Sequence, residues 1–582
     1  MSNLKQQATA PKGSHSFLQE AHSTELAENV LLTREQRIAK INKTTYWDLI
    51  VVGGGITGAG ILKLASQAGL KVLLLEQKDF AWGSSSRSSK MVHGGLRYMA
   101  QGQLALTRES VTERQRLLDE GQPLILKQSF VMSHYQYAFP TPWVFNKLLS
   151  CYDFITGRKQ HKFWSKPAYL ALTPKVAEDK LLGGTQFFDA LTEDARLVQR
   201  LIQESLHLGG QAVNYAKVLK VKTHRADNQL EVLLENQTLT LRAKTVVNAC
   251  GAWSKLLEVN NIDSHAADAN TKKTMYMRPL RGSHLVIPNW RLPVASVVSI
   301  LHAKDKRPVQ VYPWQNVTIV GTTDVEHEQD MTKDARISQK EFDYLLAAVA
   351  QQFPDASITK EDIISTFAGV RPVITSGEFT EPSKEKREHY IEQAFGVISV
   401  TGGKLTTFRL IAEQVLTLVC QHLTTSHQNK TDKIGKNRGD FLASVRMACK
   451  QPILSIQTGN LSTIFSENIE QQIKACYGEY SNCFVKFIDK SYCKPIRYSK
   501  HLWGELIWSV KFEQVHHLDD LLLRRTRIGN VLPHGACDLL PKIKQLCSPY
   551  LTWDEQRWQQ EIKRYTEVWH AAYSLPNNDK NR

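Results

Sequence analysis

Between residues 48 and 76, the apolar positions form two short runs separated by a glycine-rich turn and a stretch with helical spacing. The run Leu-Ile-Val-Val at 49–52 is typical of a buried parallel strand. A glycine-rich turn follows it, and helical spacing begins near Ile56. A second apolar run, 71–75, ends at the carboxylate of Glu76. The pattern predicts a strand, a helix and a second strand of a doubly wound α/β domain.

Further along the chain the pattern changes character twice. Short strands are predicted over 210–247, and more strands, separated by proline and glycine turns, over 280–325. From about 440 onward helical spacing dominates. We therefore predict a polar N-terminal extension (1–47) that ends in a short helix, an α/β region with an inserted mixed or antiparallel sheet (48–424), and a helical C-terminal domain (425–582).

The turn after the first strand has the spacing G-x-G-x-x-G, at Gly53, Gly55 and Gly58. A Cβ atom there would block the approach of a pyrophosphate to the backbone N–H groups, and the helix beginning with Ile56 and Thr57 directs its positive end at the phosphates. Glu76, about 20 residues further on, is placed to accept hydrogen bonds from ribose hydroxyls. The combination predicts a dinucleotide site, although glycines alone also serve helix packing.

The segment 80–99, FAWGSSSRSSKMVHGGLRYM, is rich in hydroxyls, glycines and cations. Its serines offer hydrogen bonds to phosphate or to a flavin, and its paired glycines would let the backbone pass close to a flat ring. On composition alone a solvated loop is the alternative. The candidate cofactor contacts in it are Ser84, Ser85, Ser88, Ser89, Gly94 and Gly95.

Composition narrows the class of protein. The 582 residues are 42% hydrophobic with a mean hydropathy of −0.32, and no run approaches the roughly 20 apolar residues of a membrane-spanning helix. The N-terminal residues lack the pattern of a secretory or organellar signal. Nine cysteines without C-x-x-C or metal-like pairing with histidine fit a reducing compartment, with no metal site predicted.

The formal net charge of +16 is compatible with nucleic acid, an anionic lipid surface or an anionic substrate. The basic residues are dispersed and are not interleaved with aromatic residues in the way that base-stacking surfaces require. We therefore predict no nucleic-acid partner.

The run SSSRSSKMVHGGLRY, placed after GGGITGAG, resembles the FAD-dependent, quinone-linked aerobic glycerol-3-phosphate dehydrogenases of the D-amino-acid-oxidase-like flavoprotein superfamily. Similar segments follow in the family's order over most of the chain. They are EDARLV (193–198), VVNACGAW (246–253), RGSHLVI (281–287), GTTD (321–324), GVRP (369–372), KREHY (386–390), GGKLTTFR (402–409) and LDDLLLRRTRIG (518–529). Residues 425–500 match poorly, and the calcium loop of mitochondrial relatives is not seen, which favours a bacterial type.

The resemblance implies FAD as cofactor and oxidation of sn-glycerol 3-phosphate to dihydroxyacetone phosphate by hydride transfer, in glycerol catabolism and respiration. It also implies electron delivery to a membrane quinone, and so peripheral attachment to an anionic membrane at the cytoplasmic face of a bacterial inner membrane. A homodimer is possible. The alternatives are an oxidase that uses O2, and a basic flavoprotein that modifies RNA or is not catalytic.

The same resemblance implies a site. A phosphomonoester needs cations, and Arg97, Arg371, Arg387 and Lys404 lie in the matching motifs. His93 is the candidate proton acceptor, with bracing of the flavin as the alternative; Tyr98 and His284 are reserve candidates for orienting the hydroxyl. The helix that follows Gly403, Lys404, Leu405 and Thr406 is expected to stabilise negative charge on the reduced flavin.

Overall fold

The computed structural model describes residues 29–100, 102–223, 227–261, 276–375, 389–394, 396–425, 438–456, 459–461 and 465–576. Residues 1–28, most of the predicted N-terminal extension, lie outside the described residues. The short helix predicted at the end of that extension is present as Arg34–Asn42, and a capping box between Thr33 and Gln36 fixes its first turn.

The described residues contain nineteen strands. In chain order β1 to β19 they are Trp47–Val52, Val72–Leu75, Met91–Val92, Ile125–Tyr135, Lys162–Ser165, Leu181–Thr192, Gln211–Val213, Ala216–Thr223, Asn228–Leu234, Gln237–Asn248, Glu258–Asn261, Tyr276–Pro288, Val297–Leu301, Pro308–Trp314, Val317–Gly321, Val325–Glu326, Ser365–Thr375, His389–Ala394 and Val397–Gly402.

Seventeen α-helices are formed by the same described part of the chain. In chain order α1 to α17 they are Arg34–Asn42, Ile56–Gln67, Leu96–Ala100, Leu104–Glu120, Pro142–Thr156, Lys166–Leu172, Asp194–His207, Gln339–Gln352, Phe408–Thr425, Arg438–Lys450, Glu467–Tyr477, Ser481–Phe487, Trp503–Phe512, Leu518–Asp520, Ile528–Val531, Leu540–Cys547 and Glu555–Ala572.

The first sheet has nine strands, and its centre is parallel. Strands β7, β2, β1, β10 and β19 lie side by side in parallel, as predicted for a doubly wound domain. Successive residues of β1 point to opposite faces: Leu49 and Val51 pack against α2, α7 and α9, and Ile50 packs under β8, β9 and α1. Both faces are therefore buried, which explains the continuous apolar run in the sequence.

The second sheet has ten strands and is mostly antiparallel, with β12, β15, β14, β13, β4 and β6 in spatial order. Alternate residues of β12 again separate two cores. Leu285 and Ile287 pack against α8, whereas Val286 packs toward the C-terminal helices with Trp558 and Trp569. The inserted mixed sheet is thus confirmed, and the C-terminal helices cover one of its faces.

Buried ion pairs join the C-terminal helices to the first sheet. Asp79, just after β2, is fully buried and receives two hydrogen bonds of 2.7 Å from the guanidinium of Arg525 and one of 2.5 Å from Arg524. The two arginines hold the pKa of Asp79 below its ordinary value despite its burial. Because both charges of each pair are buried, removal of either partner would leave an uncompensated charge.

Within the described residues, no helix combines the length and the apolar composition that a membrane crossing would require.

Candidate active site

A cavity of about 1190 Å³ lies between the two sheets. It exceeds the roughly 300–1,000 Å³ of a typical ligand pocket, so it has room for a dinucleotide together with a small substrate. One half of its wall comes from the ends of β1 and β2 and the start of α2. We call this the nucleotide half. The other half, the substrate half, comes from β12, β15 and β17 and the segment 403–406.

Two glycines of the segment after β1, Gly53 and Gly58, have no room for a Cβ atom. Gly53 has a φ of +114°, and a Cβ atom on it would lie 2.6 Å from the carbonyl oxygen of Ala249. A Cβ atom on Gly58 would lie 1.9 Å from the carbonyl oxygen of Gly53, so this glycine lets α2 pack directly on the turn. Gly53, Gly55, Ile56 and Thr57 line the cavity, whereas Gly58 lies behind them.

Glu76 closes the nucleotide half from the end of β2. One carboxylate oxygen accepts a 2.6 Å hydrogen bond from the backbone N–H of Gly54, and the other accepts a 2.8 Å hydrogen bond from the backbone N–H of Lys78. Burial raises the pKa of Glu76, and these two N–H donors oppose that rise. The glycine cradle, the helix start and this fixed carboxylate at the cavity wall fit the dinucleotide part of FAD.

The four candidate serines all line the cavity, and each already has a partner in the protein. Ser85 Oγ accepts a 2.9 Å hydrogen bond from the N–H of Ile56, and so caps α2, whose N-cap residue is a glycine. Ser84 donates to the carbonyl of Val370, Ser88 donates to Asp194, and Ser89 Oγ lies 2.9 Å from His284 Nε2. The loop is thus an ordered wall, in contrast to the solvated alternative.

Gly94 and Gly95 lie against aromatic side chains of the protein, and their approach to a flat ring stays a prediction. Neither lines the cavity. A Cβ atom on Gly94 would lie 1.8 Å from the hydroxyl of Tyr152, and one on Gly95 would lie 2.3 Å from the ring of Tyr98. These glycines make room for aromatic side chains of the protein, and Gly95 also has a φ of +82°.

Arg371 enters the substrate half from β17. Its guanidinium donates to Asp324 Oδ1 at 2.8 Å and to Thr322 Oγ1 at 2.9 Å. A Cβ atom on Gly282 would lie 2.1 Å from Arg371 Nη2, so the glycine provides the space in which the guanidinium lies. Asp324 is buried, and these contacts fix the orientation of the arginine fork.

Arg307 is a cation that the sequence did not suggest. It lines the same cavity and pairs with the other carboxylate oxygen of Asp324 at 3.2 Å. The segment KDKR before β14 contains three further charges and reads as an ordinary exposed loop. Only the pairing of β14 with β15, which ends at the GTTD segment, brings Arg307 to Asp324. No short-range signal could have identified it.

Lys404 and Tyr98 meet at the edge of the cavity. The ammonium nitrogen of Lys404 lies 3.8 Å from the centre of the Tyr98 ring, a cation–π contact, and 3.4 Å from Ser110 Oγ. Both residues line the cavity, and their catalytic roles stay predictions. Lys404 directly precedes the 3-10 turn Leu405–Thr407, which leads into α9. The start of this helix therefore fixes the position of Lys404.

His284, a reserve candidate, is the buried histidine of the substrate half. It is 1% exposed, and its ring stacks on Phe367 with centroids 4.4 Å apart. Burial, with the nearby charges of Lys90 and Arg371, holds the pKa of His284 well below its ordinary value. The ring is therefore neutral near pH 7. Its Nδ1 atom has no hydrogen-bond partner within the described residues.

His93, the predicted proton acceptor, also lines the cavity. Its backbone is fixed to the opposite wall, because Thr406 Oγ1 accepts from the His93 N–H at 3.1 Å and donates to the His93 carbonyl at 3.3 Å. Its ring centre is 6.2 Å from that of Tyr98.

Most of the predicted site residues meet around one cavity. The wall includes Gly53, Gly55, Ile56, Thr57, Glu76, Ser84, Ser85, Ser88, Ser89, His93, Tyr98, Arg371, Gly403, Lys404, Leu405 and Thr406. The backbone of Arg97 lies in α3, but its side chain is outside what the structure describes. Arg387 also lies outside the described residues.

Comparison with protein families agrees with this arrangement. The family model described as FAD dependent oxidoreductase matches residues 48–409, and the C-terminal domain of alpha-glycerophosphate oxidase matches residues 465–558. The chain is 31% identical over 507 residues to the aerobic glycerol-3-phosphate dehydrogenase of Staphylococcus aureus strain USA300, covering 85% of this chain and 89% of that one. It is 30% identical over 510 residues to that of Staphylococcus haemolyticus strain JCSC1435, with the same coverage.

Two solved structures are similar in fold. Glycerol-3-phosphate dehydrogenase from Bacillus halodurans, complexed with FAD, has a TM-score of 0.65 and 24% identity, covering 93% of this chain and 97% of that one. L-alpha-glycerophosphate oxidase from Mycoplasma pneumoniae, dithionite reduced with FAD bound, has a TM-score of 0.50 and 18% identity. This match covers 65% of this chain and 95% of that one. At these identities the likeness concerns the fold.

Proposed function

This chain belongs to the family of FAD-dependent aerobic glycerol-3-phosphate dehydrogenases, and from that premise we propose that it passes the electrons of sn-glycerol 3-phosphate to a membrane quinone. The product is dihydroxyacetone phosphate. When bound, FAD supplies the acceptor for the hydride that leaves C2. The protein supplies the position of the substrate, the charges around its phosphate and a group that takes the hydroxyl proton.

The observation that carries the substrate assignment is the set of cations in the substrate half. Arg371, Arg307 and Lys404 line the cavity together, and the pairing of both arginines with Asp324 leaves an excess of positive charge at that wall. A phosphomonoester carries between one and two negative charges near pH 7. Guanidinium forks held in place by a carboxylate bind such a group with defined geometry.

We assign removal of the hydroxyl proton to His284. A histidine that accepts a proton must be neutral before the reaction, and burial beside Lys90 and Arg371 keeps this ring neutral. Binding of a phosphate anion at the neighbouring cations would raise the pKa of His284, because negative charge favours the protonated imidazole. The choice of His93 from the sequence stays a prediction, and the variants His93→Gln and His284→Gln distinguish the two.

The electron acceptor separates this proposal from a glycerol-3-phosphate oxidase. The test starts anaerobically, by adding sn-glycerol 3-phosphate to the purified protein and following the flavin absorbance. Bleaching that is reversed rapidly by a quinone analogue, and slowly by air, supports the proposal. Stoichiometric oxygen consumption in the absence of quinone would replace it with the oxidase, and a flavin that does not respond would favour a non-catalytic flavoprotein.

We propose peripheral attachment at the cytoplasmic face of a bacterial inner membrane, because a lipid-soluble acceptor has to be reached at a bilayer. The net charge of +16 supports an anionic surface as the partner. A homodimer is compatible with this placement. A shift of RNA in gels with a steep salt dependence would instead revive the RNA-binding alternative.

A further inference from the structure

We propose that the hydroxyl of Ser89 carries the substrate proton to His284, so that the serine lies between the substrate and the histidine ring. We call this pair the proton relay. The inference rests on the proposed oxidation of sn-glycerol 3-phosphate and deepens the assignment of His284. It gives the cavity a second catalytic residue, which the sequence suggested only as a contact of the cofactor.

The two nitrogens of the His284 ring differ in what reaches them. Nδ1 is buried and has no hydrogen-bond partner within the described residues. Nε2 lies 2.9 Å from Ser89 Oγ. His284 is 1% exposed, whereas Ser89 keeps part of its surface exposed, and both residues line the cavity. A molecule in the cavity therefore meets the serine hydroxyl before it meets a nitrogen of the ring.

The ring of His284 is held behind the serine from two sides. One face stacks on Phe367 with centroids 4.4 Å apart. The Cδ2 edge lies against the end of β15, where a Cβ atom on Gly321 would be 2.1 Å from Cδ2. A tilt that carried Nε2 past Ser89 would break the stack on Phe367. Because the ring stays in place, a proton from the cavity reaches Nε2 through the intervening hydroxyl.

Ser89 lies between two neighbours that are anchored to one carboxylate. The N–H and the hydroxyl of Ser88 donate to Asp194 Oδ2 at 3.0 and 2.7 Å. The ammonium nitrogen of Lys90 donates to the same oxygen at 2.8 Å. Asp194 is fully buried, so the backbone on both sides of Ser89 is fixed. The hydroxyl is therefore held at one position before the substrate arrives.

The step moves two protons while a hydride leaves the substrate. The O–H bond of the C2 hydroxyl breaks as a new O–H bond forms on Ser89 Oγ. The original O–H bond of Ser89 breaks as an N–H bond forms on His284 Nε2. The electron pair left on the substrate oxygen completes the C2 carbonyl, and the C2–H electron pair leaves as hydride for the cofactor. Ser89 ends as it began, and the ring ends as an imidazolium.

The positive charge that forms on His284 is offset by its surroundings. Burial, and then the charges of Lys90 and Arg371, lower the pKa of the ring. Each of these cations is paired with a buried carboxylate, Lys90 with Asp194 and Arg371 with Asp324, both at 2.8 Å. A bound phosphate adds negative charge beside Arg371. Proton transfer to the ring is therefore favoured when the substrate is present.

The first test measures single-turnover reduction of the holoenzyme by sn-glycerol 3-phosphate without oxygen. Ser89→Ala removes the hydroxyl, and Ser89→Thr keeps one. The matched control is Ser299→Ala, because Ser299 also lines the cavity and its hydroxyl donates to Gln310 at 2.8 Å. The flavin absorbance of each purified variant reports whether the fold and the cofactor are retained.

We expect Ser89→Ala to be reduced about 10²-fold more slowly with FAD still bound, as His284→Gln is, because each removes one position of the relay. The double variant should be no slower than either single variant. Ser89→Thr should recover most of the rate, and Ser299→Ala should match the wild type. Reduction of Ser89→Ala at the wild-type rate would overturn the proposal. So would a variant that binds FAD weakly and is reduced normally once FAD is restored, which would leave Ser89 as a cofactor contact.

The number of protons that move distinguishes the relay from direct transfer to the ring. The rate of reduction is measured in mixtures of light and heavy water. Two protons moving together give a curved dependence on the deuterium fraction, whereas one proton gives a straight line. We expect a curve for the wild type and a line for Ser89→Ala. A straight line for the wild type would overturn the proposal.

A further readout needs no turnover. Because His284 Nε2 has to accept from Ser89, the ring proton must be on Nδ1, and the NMR shifts of the ring nitrogens report which one carries it. The signals of this ring are those missing from His284→Gln. We expect an unprotonated Nε2 whose shift changes in Ser89→Ala, and a protonated Nε2 in the wild type would overturn the relay. A wild type with the expected shifts whose flavin does not bleach contradicts the proposed function alone.

Discussion

The two halves of the cavity are built in different ways. The nucleotide half is made largely of backbone, with turn N–H groups and a carboxylate, Glu76, only 23 positions after Gly53. The substrate half is made of side chains, and Arg307, Lys404 and His284 reach it from separate parts of the chain. Binding in the nucleotide half depends on the space left by small residues, whereas binding in the substrate half depends on charged side chains and on how deeply they are buried.

The two halves should therefore respond differently to amino-acid substitutions. At Gly53 and Gly58, a single added carbon meets main-chain oxygen atoms that have nowhere to move. At the substrate wall, side chains can be exchanged without disturbing the backbone, but the pairing with Asp324 and the neutrality of His284 would change. Substitutions of the turn glycines should remove the cofactor, and those of Arg371 and His284 should spare it.

The largest effect is expected for Gly58→Ala. The new Cβ atom would lie 1.9 Å from the carbonyl oxygen of Gly53, so the turn and α2 must separate, at a cost of about 2 kcal/mol or more. We expect the purified variant to lack flavin absorbance. The matched change Gly55→Ala meets only the Ser85 side chain within the protein, at 3.1 Å, so it should keep the thermal stability of the apoprotein and lose FAD only because its Cβ atom faces the cavity. Equal flavin content in Gly58→Ala and wild type would contradict the steric account.

His284→Gln should reduce kcat by about 10²-fold with FAD still bound, because general-base catalysis contributes about 10²–10⁴-fold. The pH dependence sharpens the assignment. The neutral ring takes the proton, so activity is lost as pH falls through the pKa of His284. In the free enzyme that pKa is well below 6.5, and in the substrate complex we expect it to be higher.

The measurement is a pair of pH profiles. As pH falls, kcat should decline at a higher pH than kcat/KM does, because kcat reports the substrate complex and kcat/KM reports the free enzyme. The decline of kcat at acid pH should be absent in His284→Gln. His93→Gln is the comparison variant. A decline of kcat at acid pH that disappears in His93→Gln and persists in His284→Gln would return the role to His93.

Arg371→Ala should raise KM and lower kcat/KM by about tenfold or more, because hydrogen bonds to a charged group contribute roughly 1.5–3 kcal/mol. The flavin spectrum should not change. Arg371→Lys keeps the charge but lacks the fork that Asp324 and Thr322 orient, and should recover only part of the loss. Kinetics of Arg371→Ala equal to those of the wild type would remove this residue from the site.

The smallest expected effect is that of Ser85→Ala, which removes the cap of α2. Loss of a capping hydroxyl costs about 1 kcal/mol of stability. The midpoint of thermal flavin release should fall by a few degrees while kcat stays at the wild-type value. Ser84→Ala, whose hydroxyl bonds a carbonyl of β17 and caps no helix, is the control. A reduced kcat in Ser85→Ala would show that this hydroxyl serves catalysis.

The same contrast explains which parts of the site could be predicted from the sequence. The nucleotide half depends on contacts between near neighbours, so the glycine spacing and Glu76 were sufficient to predict it. The substrate half depends on strand pairing, and Arg307 joins Asp324 only through β14 and β15. The packing of Gly94 could not be predicted, because Tyr152, which occupies the space beside it, comes from a helix 58 positions further on. The two sheets and the C-terminal helices followed from periodicity and from the family resemblance.

The buried pairing of Asp79 with Arg524 and Arg525 has a consequence for synthesis on the ribosome. The carboxylate leaves the exit tunnel early, and its two partners follow 445 and 446 residues later. At about 5–20 residues per second this interval is roughly 20 to 90 s. During that time the nascent first sheet carries an unneutralised acid at a position that will become fully buried. Final closure of the cofactor domain therefore has to wait for the end of translation.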